Sequence, residues 1–134
     1  MAQPPVNEPS DPEAIDDYKQ QARDFLAKSQ EYLAVGDLHQ ASEKGWGAAA
    51  WMTKAVAVAQ GWQYDQYAHF NVVLNNALLM TNNNRLLALR EIANGLHRNY
   101  YTRKRFLNAN IIRRELDAVA EMLDILEPIA EPAS

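Results

Sequence analysis

The stretch that decides the fold is Gly36-Asp37-Leu38-His39-Gln40-Ala41-Ser42-Glu43-Lys44-Gly45-Trp46-Gly47-Ala48-Ala49-Ala50-Trp51-Met52-Thr53-Lys54-Ala55. Gly36 turns the chain, and Asp37 has the short acceptor side chain that caps a helix. The alanines and glycines that follow let neighbouring backbones come close, while Trp46 and Trp51 supply large apolar surfaces. This run therefore reads as the buried centre of a helical protein. It continues to about Gln60, where Gly61 supplies the stop.

Working outward, Ser10 or Asp11 caps a preceding helix, with Pro12 near its first position and Glu13, Asp16 and Asp17 at its positive dipole end. Its apolar stripe is Ile15, Tyr18, Ala22, Phe25, Leu26, Ser29, Tyr32 and Leu33, in steps of three and four. Beyond Gly61 a shorter helix is expected from Tyr67 to Met80, with Phe70, Val73, Leu74, Ala77 and Leu78 inward. Asn82-Asn83-Asn84 forms a turn and cap cluster, because asparagine tolerates left-handed backbone and caps well. A fourth helix then runs from about Asn84 to Thr102, with Leu86, Leu89, Ala93, Leu96 and Tyr100 on one face. Asn108 or Asn110 caps a fifth, carrying Ile111, Ile112, Leu116, Val119, Ala120, Leu123 and Leu126 before Pro128.

The prolines all lie in the first twelve or last seven residues, so nothing breaks these helices from within. The expected class is all-α, an antiparallel four- to five-helix bundle. One domain over residues 11–130 follows from the length. Residues 1–10, rich in proline and polar groups, read as a disordered tail, and residues 131–134 as a short C-terminal one. The absence of cysteine excludes a disulfide framework, a thiolate nucleophile and a cysteine-type zinc site. No apolar run approaches the ~20 residues that span a bilayer, and no basic-then-apolar leader opens the chain. A cytoplasmic protein with no membrane contact is the expectation.

The net charge of −4 hides an asymmetry. Residues 1–37 hold eight acids against Lys19, Arg23 and Lys28, whereas residues 85–114 hold eight basic residues against Glu91 alone. Either these segments face one another, or the basic one forms a surface field for anions.

Chemistry is sparse. His39, His69 and His97 lie in different elements without zinc-binding spacing, and no glycine-rich phosphate loop follows a strand, so neither metal nor cofactor is expected. Arg90 and His97 are seven residues apart, so they project from one helix face about 10 Å apart along the axis. A guanidinium and an imidazole so placed suit phosphodiester chemistry: the imidazole as base towards a ribose 2′-hydroxyl, the guanidinium on the charged phosphorus centre. The alternative is an ion-pairing arginine and a core-edge histidine. Just beyond, Arg98, Asn99, Tyr101, Arg103, Lys104 and Arg105 form a basic, aromatic run suited to RNA: cations for phosphates, rings for unpaired bases. The same charges would also offset a helix dipole, and Tyr100, Tyr101 and Phe106 could equally be core. Glu43 and Lys54, three turns apart on the second helix, share a face and could line a pocket with His69.

Gly36-Asp37, Gln40-Ala41-Ser42-Glu43-Lys44, Ala48-Ala49, Lys54-Ala55 and Gly61, then His69 and Leu96-His97-Arg98-Asn99-Tyr100-Tyr101, together resemble the HEPN superfamily and within it the archaeal PaREP-type proteins. The resemblance covers residues 18–126. It implies a helical bundle, a homodimer, and either a metal-independent ribonuclease or an RNA- or nucleotide-binding module. It also implies a nucleotidyltransferase-like protein as possible partner. Arg90-Glu91 followed by His97 matches the arginine–polar–histidine signature of that superfamily at its longest spacing. The competing expectation is a non-catalytic interaction module, the partner half of a two-component or toxin–antitoxin-like pair.

Overall fold

The computed structural model describes residues 11–132, so the expected N-terminal tail and the last two residues lie outside it. Five α-helices follow in order: α1 (Pro12–Ala34), α2 (Leu38–Gln60), α3 (His69–Thr81), α4 (Arg85–Asn99) and α5 (Ala109–Leu126). Single 3-10 turns at Lys104–Phe106 and Glu127–Ile129 complete them, and the described residues contain no strand. None of these helices is long and apolar enough to cross a membrane.

Local chemistry explains most of the boundaries. The Asp11 carboxylate accepts from the backbone N–H groups of Glu13 and Ala14, and Pro12 needs no partner for the N–H it lacks. The Asp37 carboxylate accepts from Gln40 N–H at 3.1 Å. α2 ends where Gly61 adopts φ +76°, a left-handed conformation that costs glycine little. Asn82 closes α3 in the same region, and the Asn108 side chain caps α5 by accepting from Asn110 and Ile111.

α2 is the central helix, packed by α1, α3, α4 and α5. Ala41, Ala48, Ala49, Ala55 and Ala57 are wholly buried there, so their small side chains set how near the neighbours come. Gly45 marks one tight approach: a Cβ there would lie 2.4 Å from Leu116 of α5 and 3.3 Å from Leu96 of α4. Ile15, Leu26, Met52, Phe70, Leu74, Leu89, Leu96, Ile112, Met122 and Leu123 fill the space around it.

Three expectations need correction. α3 begins at His69 rather than Tyr67, because residues 65–68 turn tightly, with His69 N–H donating to the Gln66 carbonyl. α4 ends at Asn99 rather than Thr102, and Tyr100, expected inward, is exposed. There the N–H groups of Tyr100, Tyr101 and Thr102 reach back three residues rather than four, the Thr102 hydroxyl donates to the Arg98 carbonyl, and His39, at the start of α2, donates from Nε2 to the Thr102 carbonyl at 2.6 Å. Ile111, also expected inward, is exposed, because the buried stripe of α5 runs through Ile112, Leu116, Val119 and Leu123, and Ile111 lies about 100° off it.

The charge asymmetry resolves as well. Ion pairs join the few cations of α1 to acids in the last turn of α5 and just beyond it: Arg23 to Asp124 and Glu127, and Lys19 to Glu131. Arg85 pairs with Glu121. Among the described residues Arg98, Arg103, Lys104, Arg105 and Arg114 make no ion pair, so the acidic and basic segments do not neutralise each other there.

Candidate functional site

α3 and α4 meet along a polar seam. Tyr67, Asn71 and Asn75 recur every four residues towards α3, and Arg90, Asn94, His97 and Tyr101 recur every three or four along α4, so each set forms one stripe. Arg90 donates to the Asn75 side-chain carbonyl. One turn on, Asn94 donates to Asn71 Oδ1 at 2.9 Å and accepts from the Tyr67 hydroxyl at 3.2 Å. At the next rung His97 lies beside Tyr67, their ring centres 5.4 Å apart.

His97 is the most constrained of these groups. Its ring lies 5.1 Å from the Trp46 ring and 5.9 Å from that of Tyr101, which meets it edge-on. Its Nδ1 lies 3.1 Å from Glu43 Oε1. A carboxylate only accepts, so Nδ1 carries the proton and donates. In the neutral imidazole the lone pair is then on Nε2, which has no protein partner among the described residues. An imidazole held in this tautomer is prepared to take a proton through Nε2.

Arg90 faces α3 as His97 does, but the two make no contact; they are successive rungs separated by Asn94. The Arg90 guanidinium also contacts Glu91 at 3.1 Å, an exposed pair of small energetic weight. Arg98 lies exposed past the seam. Asn99, expected among nucleic-acid contacts, turns inward: its amide donates to Ser42 Oγ at 3.3 Å and Glu115 Oε1 at 3.4 Å. Burial raises the Glu115 carboxyl above its ordinary pKa, and the bond from Asn99 partly offsets this.

Tyr101 is 77% exposed, and Arg103, Lys104 and Arg105 extend from the loop beyond it. Arg105 lies 4.7 Å over the Phe106 ring, itself 66% exposed. The seam and loop thus join a tautomer-fixed histidine to unpaired cations and open aromatic faces. Sequence reasoning did not single out Asn71, Asn75 or Asn94, although their four-residue spacing opposite Arg90 and His97 was visible. The grouping of Glu43, Lys54 and His69 in one pocket does not occur: Glu43 turns to His97, His69 to Asp65, and Lys54 to Tyr18. No cluster of three or more metal-ligating side chains occurs among the described residues.

An all-α bundle of five helices around an alanine-rich central helix, with a polar α3–α4 seam, is the class these features define. The chain belongs to the Archaeal PaREP1/PaREP8 family, whose family model matches residues 17–123. No curated protein and no solved structure matches it.

Proposed function

We propose that this protein is a HEPN-like, cytoplasmic homodimer that binds single-stranded RNA through residues 85–114 and cleaves it with Arg90 and His97. The observation that supports the reading is the fixed tautomer of His97 on the same stripe as Arg90. His97 Nε2 removes the 2′-hydroxyl proton, and the 2′-oxygen attacks the adjacent phosphorus. The bond to the 5′-oxygen breaks, leaving a 2′,3′-cyclic phosphate; the leaving oxygen takes up a proton from water, and protonated His97 returns its own proton to the resulting hydroxide. Arg90 balances charge on the phosphorus centre. Arg98, Arg103, Lys104 and Arg105 meet neighbouring phosphates while Tyr101 stacks on an unpaired base. In the homodimer two such helices complete one composite site, and a nucleotidyltransferase-like protein is the expected partner.

Purified protein incubated with single-stranded RNA, with and without EDTA, tests this directly. Cleavage is expected in both conditions and should fall by roughly 100-fold or more in His97→Ala and Arg90→Ala. Cleavage that persists in both variants would reject the assignment.

A second reading rests on another surface. Val72, Leu79 and Met80 are exposed on α3, and Leu87 is exposed on α4. Exposed apolar side chains so grouped suit a protein partner, and the chain is then a non-catalytic interaction module. That reading expects no cleavage, no salt-dependent RNA affinity, and co-purification with a specific protein that Leu79→Lys abolishes.

A further inference from the structure

A second site lies along α2, away from the His97 rung. Gly47, Ala50, Trp51, Lys54 and Tyr64 line a cavity of about 160 Å³. Ala50 presents only a methyl group to it, and the Phe25 ring covers Gly47. Phe25 packs against Gly47 so closely that a Cβ there would fall 2.4 Å from its ring. One wall is Trp51, stacked on Tyr18 with ring centres 5.4 Å apart and edge-on to Phe25 at 6.5 Å.

Cations flank this column of rings. Lys54 Nζ lies 5.5 Å over Tyr18, and Lys44 Nζ lies 5.0 Å over Phe25. Neither ammonium has a carboxylate partner among the described residues. Burial pushes the Tyr64 hydroxyl far above its ordinary range, so it remains an O–H donor, and it has no acceptor among the described residues. A lysine stem covering an aromatic face is ordinary packing. Here, however, a flat indole, an unpaired ammonium and an uncommitted hydroxyl converge on one opening. Their shared complement is a planar heteroaromatic group that carries an anion.

We propose that this cavity is a nucleotide subsite: a nucleobase lies on Trp51 over Ala50, beside the Phe25 ring that covers Gly47, Lys54 holds its phosphate, and Tyr64 donates to it. Glu43, Gly47, Ala50 and Lys54 share one line of α2, so the site runs from about 6 Å to about 16 Å along the helix from the carboxylate that holds His97, with Lys54 at its far end. A strand crossing that rung reaches it within a few nucleotides, and a free nucleotide fits it alone. The site itself does not rest on cleavage at His97; only the strand as its source rests on the RNA reading.

Binding of AMP, ribose 5-phosphate and the tetranucleotide r(A)4 by isothermal calorimetry tests the proposal. AMP binding is expected to weaken at least tenfold in Lys54→Gln and in Ala50→Leu, with helicity and melting temperature retained, and to be unchanged in His97→Ala. Ribose 5-phosphate, lacking the base, is expected to bind at least tenfold more weakly than AMP. Absence of both AMP and r(A)4 binding, equal binding of the base-free phosphate, or indifference to both α2 variants would overturn the site. Tighter binding of r(A)4 than AMP, lost in Lys54→Gln, assigns the site to a strand; AMP binding as tight as r(A)4 assigns it to a free nucleotide. Either result supports the subsite. AMP binding that depends on Ala50 and Lys54 without any RNA cleavage would sink the nuclease reading alone, whereas cleavage without such binding would sink this site alone.

Discussion

Glu43 Oε1 lies 3.1 Å from His97 Nδ1, joining the first turns of α2 to the last turn of α4 across 54 residues of chain. Trp46 and Tyr67 bracket the imidazole, so its ring has little freedom to turn. If His97 acts as a base through Nε2, Glu43 positions it and fixes its tautomer. Glu43→Ala should then lower kcat for RNA cleavage by about 10–100-fold, as loss of a group that orients a functional histidine does. KM should stay near the wild-type value, because Glu43 makes no contact with the basic loop. Glu43→Gln, whose side-chain carbonyl can still accept from Nδ1–H, should recover part of the loss. A fall in KM-linked affinity with kcat unchanged would contradict a positioning role.

The parts of the fold set by short-range chemistry were legible. Asp11, Asp37 and Gly61 mark helix ends by caps and by backbone freedom, and the steps of three and four in α1 and α5 mark their buried faces. What was not legible depended on residues distant in sequence. The apolar spacing runs on through Tyr100, and one of the groups that holds the chain where α4 ends is His39, 63 residues before Thr102. Spacing along α2 pairs Glu43 with Lys54, yet packing sends the first to His97 and the second to Tyr18. Helical periodicity tells which face a residue occupies, but not which neighbour that face meets.

Two glycines in helices should respond to the same substitution with opposite sign. Replacing helical glycine by alanine gains about 1 kcal/mol from backbone entropy. At Gly47 the added Cβ would lie 2.4 Å and 2.7 Å from two atoms of the Phe25 ring, which is itself wedged against Trp51. Overpacking of that kind costs about 1–3 kcal/mol, so Gly47→Ala should lower stability in urea denaturation. At Gly95 the nearest atoms are Arg98 Nη2 at 3.7 Å and Glu115 Oε2 at 3.8 Å, ordinary contact distances. Gly95→Ala should therefore raise stability by up to about 1 kcal/mol. A stabilising Gly47→Ala would show that Phe25 moves freely.

Glu115 predicts a pH dependence. Burial raises its folded pKa above the ordinary value of 4.5, so the native state holds its proton more tightly than the unfolded chain. Its contribution to stability is therefore fully present below about pH 4.5 and is lost as pH rises through the folded value. Glu115→Gln removes that loss and keeps an acceptor for the Asn99 amide. The variant should melt higher than wild type at pH 7, and the difference should shrink towards pH 4. Melting curves across that range check it; a variant less stable at pH 7 would mean that the Glu115 charge is favourable where it stands.

The basic loop sets the salt dependence of RNA binding. Arg103, Lys104 and Arg105 are exposed and, among the described residues, unpaired, so each is free to displace a counterion from a phosphate. Three such contacts on a single strand contribute about −2 to the slope of log affinity against log salt, at roughly −0.7 per phosphate. Changing all three to alanine should make the slope shallower by about that amount and weaken binding most at low salt. Tyr101→Ala should instead weaken binding by about 1–3 kcal/mol at every salt concentration, because stacking of its exposed ring on a base releases no ions. Parallel titrations of a short single-stranded RNA between low and moderate salt separate the two effects. A triple variant with an unchanged slope would remove the loop from the RNA-binding surface, whatever Arg90 and His97 do.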